Sequence, residues 1–323
     1  MKNNFPFLLN NFFKTLENEY NYSTNTIISY KYTFKLLVKF LIEEKHIPLR
    51  KINLEVISKD IIREFLDNVE SNNSINTRNQ RLGAIKSFYR YISTEDIDNI
   101  VNCEKILSIR CKKNTRKYID YLTIQEIKNY FNCIELRKPK DLRDLALLSL
   151  LYDTAARASE LLNIKLDDIL LDDNPKVALY GKGNKQRRVP ITNNTKEIIL
   201  NYINEFKIER YSYLFSNSKG LKYTTKMLEH VIKKYCKKAN IEKNIHPHSF
   251  RHSRAMHLLE SGINLIYIRD LLGHSSVKTT EIYARTNEEL LRKNILEANN
   301  IETNKEIPKW HQDEELLKFL LNL

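Results

Sequence analysis

From Ile27 to Ile42 the apolar residues Ile27, Tyr30, Phe34, Leu37, Val38, Leu41 and Ile42 recur at three- and four-residue steps. That period lays them along one stripe of an α-helix, and the stripe needs another apolar surface to cover it. The same spacing joins Phe5, Leu8, Leu9, Phe12, Phe13 and Leu16 over residues 5–20, and a shorter helix fits residues 58–69. Over 77–92 the pattern offers Leu82, Ile85, Phe88 and Tyr89 as a buried face. Ser23 or Thr24 and Ser58 or Asp60 are placed to cap helix starts, and Pro48 closes the second helix region. Residues 1–93 are therefore predicted to form a small all-α domain of four or five helices.

A chain of 323 residues exceeds the usual size of a single core, so a second domain is expected beyond it. The formal net charge of +13 and a pI near 9.3 favour a polyanionic partner, most simply nucleic acid, although an AT-rich coding bias would also enrich Lys. Two groups of cations are candidates for contact with phosphates. Arg78, Arg81, Lys86 and Arg90 lie on the 77–92 helix, either as a solvated face or as a surface that neutralises a DNA backbone. Residues 94–117 read as a basic linker, where Lys112, Lys113, Arg116 and Lys117 would suit a strap across a phosphate backbone. Cys103, Cys111, Cys133 and Cys236 show no metal-type spacing and read as reduced thiols of a cytoplasmic protein. Neither a signal peptide nor an apolar run long enough to span a membrane is present, so no membrane partner is expected.

The second half opens on Thr123-Ile-Gln-Glu126, a capping-box pattern. Residues 142–152 are apolar enough for a buried core helix that runs towards Arg157. An arginine there either pairs with Asp153, Glu160 or Asp144 or serves a phosphate. β-formers on both sides of a Gly-Lys-Gly-Asn tip predict a hairpin over 176–191 that carries Lys182 outward; the pattern of a nucleotide P-loop is absent. Helices are expected over 196–209 and 224–240. Pro247 suits the first turn of the next helix, which should reach Ser261 and stop at Gly262. His248 and Arg251 share a face of it. A short helix over 264–272 ends at Gly273, so His274 follows just past its end, and Ser275 or Ser276 would cap a helix carrying Thr279, Thr280 and Tyr283.

His248 and His252 stand four apart, as zinc ligands can, but the residues between them are Ser-Phe-Arg and the arginine would repel a divalent ion. No metal and no other cofactor is expected. The set suits phosphodiester transfer instead. A tyrosine with a pKa near 10 is ionised to about one part in a thousand at pH 7, a deficit of roughly 4 kcal/mol, so it needs a base and cations beside it. Arginine can grip phosphoryl oxygens in bidentate fashion, and a lysine can protonate a leaving oxygen.

The stretches Thr-x-x-Arg157-x-Ser-Glu, Gly-Lys182-Gly-Asn-Lys, His-Pro-His248-x-x-Arg251-His and Leu-Leu-Gly-His274-x-x-x-x-Thr-Thr-x-x-Tyr283 resemble the tyrosine recombinase (phage integrase) family. The helices of the first half, 77–92 above all, are similar to that family's core-binding domain. The resemblance implies a mainly α fold with a small β-hairpin or sheet, arranged as a two-domain C-shaped DNA clamp. Its parts would be a helical domain (1–93), the linker (94–117), a catalytic domain (118–300) and a tail helix (301–323) that docks on a neighbouring protomer. It implies Tyr283 as nucleophile, Arg157 and Arg251 stabilising the transition state, Lys182 as general acid, His248 as assisting base and His274 as a hydrogen-bond donor to the phosphate. It further implies double-stranded DNA as partner, a homotetramer acting through a Holliday junction, and no need for ATP; accessory proteins or a related recombinase would be possible partners.

Integration or excision of a mobile element is the expected role, with Xer-type dimer resolution as the alternative. A catalytically silent DNA-binding relative would lack one of the six residues, and all six are present. A type IB topoisomerase shares the tyrosine chemistry, but size and the Gly-Lys-Gly-Asn hairpin favour the recombinase. The chain departs from the family's common Thr-Gly-x-Arg by carrying Ala155, where an added methyl matters if the backbone has positive φ.

Overall fold

The computed structural model describes residues 5–95, 99–113, 120–181, 185–217, 219–273 and Lys318. Two compact units divide the chain, Met1–Lys117 and Tyr118–Leu323.

The first unit holds helices and no strand among its described residues: α1 (Phe5–Asn18), α2 (Thr24–Glu43), α3 (Lys59–Asn72), α4 (Ile75–Glu95) and α5 (Ile100–Leu107). Ser23 and Ser58 cap α2 and α3 by accepting backbone N–H groups of the first turn. The stripes foreseen from the 3.6-residue period meet in one core. Phe12, Phe34 and Phe88, one ring from each of α1, α2 and α4, pack edge to face with centroids 5.2–6.4 Å apart. The region expected to be a linker, 94–117, instead contains α5. Its Cys103 and Ile106, with Ile109 just beyond, are buried in the same core, so apolar burial holds this stretch on the helical unit. Past α5, Asn79 and the Lys112 backbone exchange two hydrogen bonds, of 2.9 and 3.0 Å.

The second unit contains α6 (Ile124–Asn132), α7 (Pro139–Thr154), α8 (Ala158–Leu162), a small sheet, α9 (Asn193–Phe206), α10 (Thr225–Lys238), α11 (Pro247–Glu260) and α12 (Leu265–Leu272). The sheet is antiparallel in the order β1 (Ile169–Leu170), β2 (Lys176–Tyr180), β3 (Gln186–Pro190). Val177 faces Val189 and Tyr180 faces Gln186, which is the predicted hairpin. Helix α7 forms the centre, with Ala146, Leu147, Leu148, Leu150 and Leu151 all buried. Thr123 and Glu126 form the expected capping box at α6. The fold is thus mainly α with one small sheet, as foreseen. Among the described residues no helix is long and apolar enough to cross a membrane.

Candidate active site

The α7–α8 junction, the start of α11 and the end of α12 carry the residues singled out in the sequence. Helix α7 ends at Ala155 in the left-handed region (φ +46°, ψ +33°), and two residues later Arg157 begins α8. The backbone N–H of Arg157 donates to Glu160 (2.9 Å), and its Nη1 donates to the same carboxylate (2.7 Å). Helix α11 starts at Pro247 with His246 as its cap, so His248 and Arg251 rise from its first turn and a half. Helix α12 stops at Gly273, whose φ of +60° favours glycine there.

Arg251 ties these ends together. Only 2% exposed, it donates from Nη1 to the Ala155 carbonyl (2.7 Å) and from Nη2 to the Leu272 carbonyl. The guanidinium therefore sits in a fixed plane, held by the last carbonyls of two helices. Arg157, His248 and Arg251 line one cleft of about 350 Å³, together with His246, Ser159 and Glu229. This is room for a phosphate in a cleft that two arginines and an imidazole line.

The electrostatics fit that use. Burial alone would raise the Glu160 carboxyl, but hydrogen bonds and charge from Arg187 and Arg157 outweigh it and hold the group at about 2. Glu160 is therefore a fixed anion. The pKa of His248 is lowered, first by the atoms packed around its ring and then by the charges of Arg251, His246 and Arg157, although one edge of the residue is open to solvent. It is neutral at neutral pH and can take up a proton. Deeper in α11, His252 is buried and pushed down to about 4.

Residues 120–289 match the family described as the phage integrase family, and residues 9–96 match its N-terminal SAM-like domain. The chain belongs to the phage integrase family. Tyrosine recombinase XerC of Staphylococcus aureus is 34% identical to it over 89% of this chain and 94% of that protein. XerC of Bacillus subtilis is 30% identical over 87% and 92%. Among solved structures, the XerH site-specific recombinase bound to difH substrate superposes with a TM-score of 0.67 over 88% of this chain and 83% of that one, at 21% identity, which speaks for the fold alone. The protein is a tyrosine-type site-specific DNA recombinase.

Of the residues singled out in the sequence, the recombinase cleft unites Arg157, His248 and Arg251. Lys182, His274 and Tyr283 lie outside the described residues, as do Arg116, Lys117 and, apart from Lys318, the tail 301–323. Of the carboxylates offered as partners for Arg157, Glu160 is the one it pairs with, and 38% of the arginine side chain remains exposed beside the cleft.

The expected DNA face of α4 divides. Arg78 is a correction: it is 5% exposed and paired with Glu70 of α3 (3.2 Å), because the α3–α4 packing buries that side of the helix. Arg81 is half-buried, bonded to the Ser29 carbonyl and Thr33 Oγ1 and lying over the Tyr32 ring. Lys86 is half-buried and Arg90 exposed. Lys112 is exposed but pairs with Glu70 (2.7 Å), and Lys113 is exposed.

Two residues of consequence escaped the sequence reading. His257 links α11 to its surroundings by Nε2 to the Leu122 carbonyl (2.7 Å) and Nδ1 to the Tyr152 hydroxyl (2.8 Å). The carbonyl can only accept, so Nε2 carries the proton and Nδ1 accepts from the tyrosine. Arg187 of β3 is bonded to both Glu160 oxygens and to the Leu271 carbonyl. A helix-period pattern signals neither, since their partners are 27 to 135 residues away in sequence.

Proposed function

We propose that the chain cuts and rejoins DNA strands at specific sites through a covalent 3′-phosphotyrosyl intermediate. The observation that carries this is the convergence of Arg157, His248 and Arg251 on one cleft, each from a different motif of the family pattern. The Tyr283 oxygen attacks the scissile phosphorus, a P–O bond to tyrosine forms, and the bond to the 5′ oxygen breaks. His248, neutral at neutral pH, assists removal of the tyrosyl proton, and Lys182 supplies the proton taken up by the leaving 5′ oxygen. Arg157 and Arg251 neutralise the nonbridging oxygens of the pentavalent state, and His274 hydrogen-bonds one of them. Reversal with a different 5′ hydroxyl joins the new strand, so no outside energy source is required. DNA is the substrate that the positive charge favours, and a tetramer working through a Holliday junction is the assembly proposed to exchange the strands.

Integration or excision of a mobile element is the role proposed first, in keeping with the abundance of Lys, Asn and Ile that AT-rich coding would produce. The identity to proteins named XerC favours a second reading, dimer resolution of the Xer type. The test begins with duplexes selected by the wild-type protein from a randomised pool and nicked beside the cleavage position. The wild type is expected to give a covalent protein–DNA adduct and Tyr283→Phe none. An adduct that persists in Tyr283→Phe overturns the assignment of the nucleophile. A single selected site lying on the host chromosome favours dimer resolution, and sites flanking the gene itself favour a mobile element.

A further inference from the structure

We infer that Arg187 is a positioning residue of the recombinase site, joining the backbone segments that lead into its separate catalytic side chains. The inference rests on the proposed roles of Arg157, Lys182, Arg251 and His274.

Arg187 leaves β3 with one planar group and uses it in three directions. Nη1 and Nη2 donate to the two oxygens of Glu160 (3.1 and 2.7 Å), and Nε donates to the Leu271 carbonyl (2.9 Å). Glu160 is 3% exposed and binds Arg157 through the same two oxygens, so the two arginines share one buried anion. The Leu271 contact reaches the last turn of α12, where the next carbonyl, that of Leu272, holds Arg251. One guanidinium thus connects the anchor of Arg157 with the anchor of Arg251.

The glycines around the pair extend the connection. A side chain at Gly273 would place its Cβ 3.0 Å from Arg187 Nη1 and 3.1 Å from its Cδ, and φ there is +60°. A Cβ at Gly181 would sit 3.4 Å from Glu160 Oε1 and 3.9 Å from Arg187 Nη1. The pair therefore crowds Gly273, where an added Cβ would sit too close to Arg187, and lies beside Gly181, where a Cβ would just reach it. In the sequence, Lys182 follows Gly181 and His274 follows Gly273. Each of those two residues follows in sequence a glycine that lies beside the pair.

Lysine cannot reproduce this arrangement. Its ammonium carries charge to Glu160 but has no rigid fork to reach the Leu271 carbonyl at the same time. Arg187→Lys is therefore the informative variant, because it keeps the ion pair and breaks the bridge. On the selected nicked duplex, it is expected to form adduct about 10- to 100-fold more slowly than wild type, in keeping with sub-ångström misplacement, while its DNA affinity stays within about twofold. Hydrogen exchange of the DNA-free protein gives a second readout that needs no cleavage. Amides at Gly181 and at Leu271–Gly273 should exchange faster in Arg187→Lys, with the amides of α7 unchanged.

Adduct formation at the wild-type rate, a loss confined to DNA affinity, exchange changes limited to β3, or global unfolding of Arg187→Lys would each overturn the inference. If the wild type itself forms no adduct, the proposed chemistry fails, and the exchange comparison still decides whether Arg187 ties the two glycine segments together.

Discussion

Ala155 shows how opposing effects of similar size leave a residue tolerated where glycine would be expected. Its left-handed backbone disfavours any side chain by about 1–2 kcal/mol. Against this, the methyl group is fully buried with Ala255, Met256, Ile268 and Leu272, worth about 0.8 kcal/mol, and alanine leaves the unfolded chain less freedom, worth about 0.4–1 kcal/mol. The sums nearly cancel. Ala155→Gly is therefore expected to shift stability by less than about 1 kcal/mol in urea unfolding, whereas Ala155→Val, β-branched at positive φ, should destabilise by more than about 2 kcal/mol. The Val variant should also slow adduct formation, because the Ala155 carbonyl anchors Arg251. Equal stability of Val and Gly variants would show that the turn relaxes without strain. At this scale the sequence was informative where partners are near in the chain. The Arg157–Glu160 pairing was foreseen among three alternatives because it spans one helical turn. The Arg78–Glu70 pair was not, since it joins two helices across a turn, and a helical period cannot tell an outward arginine from one facing a neighbouring helix.

Among the elements, α11 couples chemistry to stability through its histidines. Burial, reinforced by the charge of nearby His248, holds His252 at about 4, against an ordinary 6.5. The sign follows from which state binds the proton: between these values the unfolded chain is protonated and the folded one is not, so stability rises with pH. The contribution is fully present above about 6.5 and is lost as pH falls through the window to 4, amounting to about 3 kcal/mol. His257, also lowered by burial, acts in the same direction. His252→Phe keeps a ring against Tyr121 and should flatten the stability profile between pH 4 and 6.5, measured by urea unfolding at each pH. An unchanged slope would move the effect to another group. The lowered His248 predicts separately that the acid limb of the adduct-formation rate lies below pH 6.5. Long elements were legible in the sequence by different signals: α2 by its period, α7 by its apolar run and α11 by Pro247 at its start and Gly262 beyond its end. The two-residue β1 and the eight-residue α5 were not, because their stability comes from the core they join and too few residues carry a period.

For the whole molecule, the formal charge of +13 becomes useful only once the cations are sorted by what they already hold. Arg78 is buried inside the helical unit against Glu70, whereas Lys112 is exposed and its pair with Glu70 is a weak surface contact. Arg90 and Lys113 are exposed, and Arg81 and Lys86 are half-buried. Each phosphate neutralised contributes close to one unit to the slope of log affinity against log salt, so roughly 6–10 contacts weaken binding about 10³–10⁵-fold between 50 and 200 mM salt. Arg90→Ala and Lys113→Ala should each reduce that slope by about one, to a similar degree on selected and unselected duplexes, with no change in thermal stability. Arg78→Ala should do the reverse. Leaving Glu70 with less compensation beside the core, it should lower thermal stability while the salt slope of the folded fraction stays near wild type. Fluorescence anisotropy over a salt series, paired with a thermal melt of each variant, separates the two patterns. A slope change in Arg78→Ala equal to that in Arg90→Ala would place Arg78 on the DNA surface after all, and would mean that α3 and α4 repack when the DNA binds.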